Sequence, residues 1–203
     1  MTYFDDVLKS GNLDDEVSRI AKDFRAKYRF PDVKQFGVVV PDVETAAAEL
    51  EKKGIGPFFI ASDTLAFWKE CGKDKTFSGK VGMAVYKGYN IELLEPGTGS
   101  AFYKSCVDEK GRMVLQHLGF MVKDVDAYAR RLEESGCATW VRGRINALGF
   151  VTDFAYMDTV AQTGMILEFI HMKMMGVSVH VPGGIYHNLG RLEKIIGKRS
   201  LSF

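Results

Sequence analysis

The stretch Gln35–Gly54, QFGVVVPDVETAAAELEKKG, returns 82 residues later as His117–Gly136, HLGFMVKDVDAYARRLEESG. Eight of the twenty aligned positions are identical: Gly37/Gly119, Val40/Val122, Asp42/Asp124, Val43/Val125, Ala47/Ala129, Leu50/Leu132, Glu51/Glu133 and Gly54/Gly136. Self-similarity at a fixed offset is the first signal to follow in an unknown chain, because it fixes the unit of the fold. A second block repeats in the same order. Gly88-Tyr89-Asn90-Ile91-Glu92-Leu93-Leu94 matches Gly164-Met165-Ile166-Leu167-Glu168-Phe169-Ile170 at an offset of 76, so the intervening loops differ by six residues.

Each copy reads as the same series of elements. The apolar runs Phe36–Val40 and Leu118–Val122 are strands. Asp42 and Asp124 are placed to cap the helices that follow, through Thr45–Lys53 and Ala127–Ser135, because a carboxylate accepts the free N–H groups of a first helical turn. Gly54 and Gly136 stand where a helix exits through a left-handed residue. Pro57–Ala61, Val81–Tyr86 and Tyr89–Leu94 complete the first copy. Ala138–Val141, Thr152–Met157 and Met165–His171 complete the second. The expected fold is therefore α+β, a tandem of β-α-β-β-β modules. The expected boundaries are an N-terminal helical extension over 1–29, modules over 30–98 and 113–172, a linker over 99–112 with room for one helical turn, and a C-terminal extension over 173–203. Leu13–Tyr28, with Val17, Ile20, Ala21 and Phe24 on one face, and Ile185–Ile196, with Leu189, Leu192 and Ile196 in phase, are the extra helices.

Composition narrows the function classes. The chain has 203 residues, 46% hydrophobic and 26% charged, which is a globular composition long enough for a substantial core. Lys+Arg is 27 and Asp+Glu is 26, a formal net charge of +1. That balance favours neither nucleic acid nor an anionic membrane as partner. No apolar run approaches the ~18–20 residues of a membrane span. The acidic opening Met1-Thr2-Tyr3-Phe4-Asp5-Asp6 does not resemble a secretory signal, and Cys71, Cys106 and Cys137 read as free thiols, so a cytoplasmic location is expected.

The repeat also places chemistry. Side chains alternate between the faces of a strand, so Gln35, Gly37 and Val39 share a face, as do His117, Gly119 and Met121. Gln35 is equivalent to His117, and Glu92 to Glu168. A lone carboxylate in a strand commonly points to solvent at a sheet edge. Two at equivalent positions in apolar strands, joined by an amide and an imidazole, point instead to one shared site, because a buried charge must be paired, neutralised or bound to metal. Such a set suits a divalent ion of intermediate hardness: Zn, Ni, Co, Mn or Fe. Near it, Arg142 and Arg144 could receive a ligand anion, and Trp140, Phe58, Trp68 and Tyr156 could wall a substrate; each has the alternative of a solvated or core-packing role. His171, His180 and His187 read as structural or surface histidines.

On these residues the chain resembles the vicinal-oxygen-chelate superfamily, which includes glyoxalase I, methylmalonyl-CoA epimerase, extradiol dioxygenases and bleomycin-resistance proteins. The resemblance covers about 30–171 and rests on Lys34–Val43, Ile91-Glu92-Leu93-Leu94-Glu95-Pro96, Leu115-Gln116-His117-Leu118-Gly119-Phe120, Gly54–Phe58 and Phe154–Thr159. It implies a curled mixed sheet around one metal held by Gln35, Glu92, His117 and Glu168, a set similar to that of one glyoxalase I branch. Gln35 departs from the two-histidine pattern of the iron dioxygenases. Asp74-Lys75-Thr76-Phe77-Ser78 lacks the glutamate that the epimerases carry in that neighbourhood. The resemblance implies a lyase or isomerase acting through a metal-stabilised enolate, with Glu168 or Glu92 as base and Zn, Ni, Co or Mn bound, Fe being disfavoured. It also implies a small-molecule carbonyl or thioester substrate and a homodimer. The alternatives are a small-molecule-binding protein of the bleomycin-resistance type and a non-haem iron dioxygenase.

Overall fold

The structure is a computed structural model that describes residues 2–147, 149–179, 183–196 and 201–202. His180 lies outside them, as do the side chains of Ala21 and Ile196. Strand β1 (Thr2–Tyr3) and helices α1 (Phe4–Lys9) and α2 (Leu13–Tyr28) form the N-terminal extension. The first module is β2 (Val33–Val39), α3 (Val43–Lys52), β3 (Phe59–Thr64), β6 (Ser78–Tyr86) and β7 (Tyr89–Leu94), with a hairpin, β4 (Phe67–Glu70) and β5 (Lys73–Lys75), inserted after β3. The second module is β8 (Val114–Met121), α4 (Val125–Glu133), β9 (Thr139–Ala147), β10 (Phe150–Met157) and β11 (Ile166–Met174), with the short α5 (Val160–Thr163) before β11. The chain continues through β12 (Val177–Ser178), α6 (Gly183–Ile196) and β13 (Leu201–Ser202).

Both module helices start as the repeat predicts. Asp42 accepts the Thr45 N–H at 2.7 Å and Asp124 accepts the Ala127 N–H at 2.9 Å. Gly54 and Gly136 sit at φ +82° and +86°, the left-handed conformation that closes each helix.

The sheet runs β13-β3-β6-β7-β2-β8-β11-β10-β9-β4-β5. The modules appear in it as mirror images, β3-β6-β7-β2 against β8-β11-β10-β9, joined by antiparallel pairing of β2 with β8. The hairpin forces the curl. β3 and β4 are eight steps apart in that order. A flat sheet would separate them by roughly 38 Å at about 4.8 Å per step. Yet only Leu65 and Ala66 join them, a reach of roughly 11 Å. The sheet must therefore bend until its far edges nearly meet.

Curling gives two cores. The convex face packs on α1 to α4 through Phe36, Val38, Ile91, Leu93, Leu167 and Phe169. The concave face carries the other parity of the same strands, with Val39, Leu94, Phe154, Tyr156 and Ile166 in a second cluster around Trp68, Phe77 and Tyr103. Among the described residues, no helix is long and apolar enough to cross a membrane.

Candidate metal centre and cavity

Strand pairing brings the repeat-related residues to one point. In the register of β2, β7 and β8, Gly37 lies opposite both Glu92 and His117. In the register of β8, β11 and β2, Gly119 lies opposite both Glu168 and Gln35. Each glycine thus separates two functional side chains and lets them lean together over it. A Cβ on Gly37 would lie 1.8 Å from the His117 ring, and one on Gly119 would lie 2.8 Å from Gln35 Cβ and 3.3 Å from Glu168 Oε2. Bare backbone at these two places is what allows the cluster to form.

Ligand-type atoms of Glu92, His117 and Glu168 lie within 4.8 Å of one another. His117 Nε2 stands 3.3 Å from Glu92 Oε2 and 3.1 Å from Glu168 Oε2. Nε2 is fully buried and has no hydrogen-bond partner meeting normal geometry. Nδ1 lies 3.0 Å from Gln116 Oε1, which can only accept. That contact keeps a proton on Nδ1, so the position open to exchange is Nε2, where a metal ion would displace the proton that the two carboxylates otherwise favour. Gln116 is aimed by a bulge: Gly37 opposes His117 while the next residue, Val38, opposes Leu115, so Gln116 is the extra residue. Its amide nitrogen reaches Cys106 Sγ at 3.4 Å. Gln35 completes the ring of donors, its Nε2 donating to Glu92 Oε2 at 3.1 Å and to Glu168 Oε2 at 3.2 Å.

The electrostatics couple the acids to the imidazole. Burial by itself lowers the His117 pKa, but Glu168 and Glu92 outweigh it and hold the imidazole proton above its ordinary range. Burial raises the Glu168 pKa against the opposing pull of His117, and Glu92 adds to the rise. The acids and the imidazole therefore share protons, and a divalent ion would take the place of those protons. An unpartnered buried ring nitrogen amid carboxylates and an amide fits such an ion, with Gln116 in the outer role of fixing the ligand tautomer.

Gln35, Glu92 and Glu168 line a cavity of about 180 Å³ on the concave side of the sheet, with His117 buried behind them. Beside it, Tyr103 Oη and Tyr156 Oη are 2.8 Å apart, and the Tyr156 ring lies 4.9 Å from that of His117. Both phenols are pushed well above their ordinary range, by burial first and by the nearby glutamates. The roof is α6, which places Ile185, Tyr186 and Leu189 over the opening.

The other expected site residues divide. Tyr156 lines the cavity. Trp68 is buried on the concave face but lies behind the wall, stacked on Phe77 at 4.8 Å. Trp140 packs edge-on against Phe102 at 6.2 Å, outside the cavity lining. Phe58 belongs to the convex core, because β3 begins at Phe59 and period-two alternation sends Phe59 and Ala61, not Phe58, to the cavity. Arg142 and Arg144 are corrected likewise. On β9 their neighbours Ile145 and Ala147 take the concave parity, while both arginines turn to the convex side and pair with Asp153 at 3.5 and 2.8 Å. Arg142 also binds Asp126 at 2.8 Å and two backbone carbonyls. Gln116, Tyr103 and the roof of α6 lie outside the repeat-matched pairs and are marked by no motif in the sequence. Gly37 and Gly119, identical between the copies, did carry a legible signal.

Residues 34–156 match the family model described as Glyoxalase/Bleomycin resistance protein/Dioxygenase superfamily. Among solved structures, the chain is similar to a methylmalonyl-CoA epimerase from Mycobacterium tuberculosis, with 17% identity and a TM-score of 0.46 over 68% of this chain and 85% of that one. It is similar to a Streptomyces coelicolor methylmalonyl-CoA epimerase variant in complex with 2-nitronate-propionyl-CoA, with 14% identity and a TM-score of 0.47 over 74% and 99%. A hypothetical protein from Bacillus halodurans is similar at 16% identity and a TM-score of 0.45 over 68% and 92%. No curated protein matches the chain.

Proposed function

Because this chain belongs to the Glyoxalase/Bleomycin resistance protein/Dioxygenase superfamily, we propose that its concave site is catalytic and that it is a metal-dependent lyase or isomerase moving a proton next to a carbonyl group. One observation carries the reading: Nε2 of buried His117 stands 3.3 and 3.1 Å from carboxylate oxygens of Glu92 and Glu168, two residues that line a cavity. Gln35, Glu92, His117 and Glu168 are the proposed ligands. A divalent ion there, Zn, Ni, Co or Mn, would supply Lewis acidity that stabilises negative charge developing on a carbonyl oxygen.

The remaining work falls to the protein. Glu168 is the proposed base: its carboxylate takes the proton from the carbon beside the carbonyl and returns it to the same or the neighbouring carbon. Glu92, its counterpart in the first module, is the alternative base, and its side chain is the more exposed of the two, 13% against 4%. Two carboxylates from opposite modules allow removal on one face of the substrate and delivery on the other. Tyr103 and Tyr156, held neutral, can donate hydrogen bonds without competing for the proton. The apolar wall excludes water from the reacting carbon.

The test is metal identification on purified protein, followed by carbon–hydrogen exchange of carbonyl compounds in heavy water. With bound metal verified, Glu168→Gln or Glu92→Gln is expected to slow exchange by about 10²–10⁴-fold, the usual share of a positioned general base. Full turnover in both variants removes the proposal. Ligand binding with no turnover and no stoichiometric metal would favour a binding protein.

A further inference from the structure

The cavity gathers its acidic groups at one place and is otherwise lined mostly by apolar side chains. The floor carries Gln35, Glu92 and Glu168, with Tyr103 and Tyr156 beside them. The walls are mostly hydrocarbon and aromatic, among them Phe59, Val81, Met83, Ile145 and Phe154, with Asn90 and Thr152 as neutral polar exceptions, and the roof adds Ile185, Tyr186 and Leu189. Among the described lining residues the one cationic side chain is Lys80, and its ammonium is taken by Glu44 of α3 at 2.8 Å. The arginines of β9 are committed to Asp153 and Asp126 on the other side of the sheet. Among the described residues, an anion entering this space finds no free cation along the walls and meets two carboxyl groups, and burying an uncompensated charge is among the costliest steps in protein chemistry.

Size points the same way. A dry apolar cavity of roughly 150 Å³ holds one benzene ring, and this one measures about 180 Å³. The roof is fixed rather than draped. Gly190 lies so close to the Phe58 carbonyl that a Cβ would come within 2.7 Å of its oxygen. Glu193 accepts the Ile60 N–H at 3.0 Å, and Lys194 pairs with Glu51 at 2.8 Å.

We infer that the substrate is an uncharged carbonyl compound whose body is a single ring or a hydrocarbon of that size, with its carbonyl at the floor and its apolar end under α6. The inference rests on the reading of this cavity as the active site. It disfavours acyl-CoA thioesters and glutathione adducts lying wholly within the cavity, because among the described lining residues no free cation receives their phosphates or carboxylates.

Binding to the full-length protein tests it without relying on turnover. Calorimetric titration compares 4′-methylacetophenone with 4-acetylbenzoate, which places a carboxylate where the first has a methyl group, in metal-loaded and in metal-stripped protein. The neutral ketone is expected to bind at least tenfold more tightly in both states. Filling the space from the roof with Leu189→Trp, or from the wall with Ala61→Met, should weaken its binding at least tenfold, with folding of each variant checked by circular dichroism. Equal or tighter binding of 4-acetylbenzoate overturns the inference, as does competition by propionyl-CoA or failure of the ketone to bind up to its solubility limit. A preference for the neutral ketone in a protein that takes up no metal would leave the inference standing and remove the metal-dependent reading instead.

Discussion

Gly37 and Gly119 decide how near four side chains from distant strands can come. At Gly37 any Cβ would occupy the space of the His117 ring. Gly37→Ala is therefore expected to swing the imidazole away from Glu92 and Glu168 and to lower metal affinity on the order of 100-fold, the upper end of what loss of ligand positioning costs. Metal titration of the stripped variant checks this, and unchanged affinity would mean that the ring is not a ligand. A second residue-scale test concerns Asp108. Its carboxylate is hydrogen-bonded by the Arg112 guanidinium, the Lys110 N–H and the Tyr3 hydroxyl, which ties β1 to the loop before β8. Arg112, foremost, holds the Asp108 pKa well below the usual carboxylate range. A folded pKa below the unfolded value of about 3.9 gives stability that is fully present above that pH and lost progressively as pH falls from there through the lower folded pKa. Asp108→Asn should therefore lower the melting temperature most near pH 7 and progressively less towards pH 3. A melting difference that grows with acid would contradict the assignment.

At the scale of elements, the pieces legible in sequence were those with periodicity or a cap. Helix α2 spans Leu13–Tyr28 as its apolar spacing predicts, and α3 and α4 begin two residues earlier than expected because their caps, Asp42 and Asp124, act directly on the first turn. The β4–β5 hairpin escaped notice because its strands are three or four residues long and mostly polar. Its turn did leave a trace: Cys71-Gly72 joins the strands, with both residues at positive φ, +48° and +76°, the two-residue geometry that matches strand twist. Cysteine tolerates that conformation poorly, whereas asparagine adopts it readily. Cys71→Asn is expected to stabilise the protein by about 0.5–1 kcal/mol, read as a higher denaturation midpoint; a lower midpoint would show that the thiol itself holds the turn. The errors over Phe58, Arg142 and Arg144 share one physical origin. In a strand, a shift of one residue exchanges the two faces, and sequence alone did not fix where β3 starts or which side of β9 is concave.

At the scale of the molecule, the repeat foretold two modules in one mixed sheet but not how the sheet closes. Closure comes from parts that are not repeated. The hairpin of the first module pairs with β9 of the second. Glu70 at its end gathers Trp68, Lys75 and Ser100 of the inter-module segment. That segment delivers Tyr103 to the cavity, and α6 covers it. The doubled framework thus supplies the charged floor, and the singular elements supply the walls and roof that set what can enter.

The most direct test of the whole account is a Co(II) titration of metal-stripped protein, followed by its visible absorption. One ion per chain is expected, with the spectrum lost in His117→Ala and in Glu168→Ala while circular dichroism shows both variants folded. Absence of stoichiometric binding in the parent protein, or an unaltered spectrum in both variants, would contradict it.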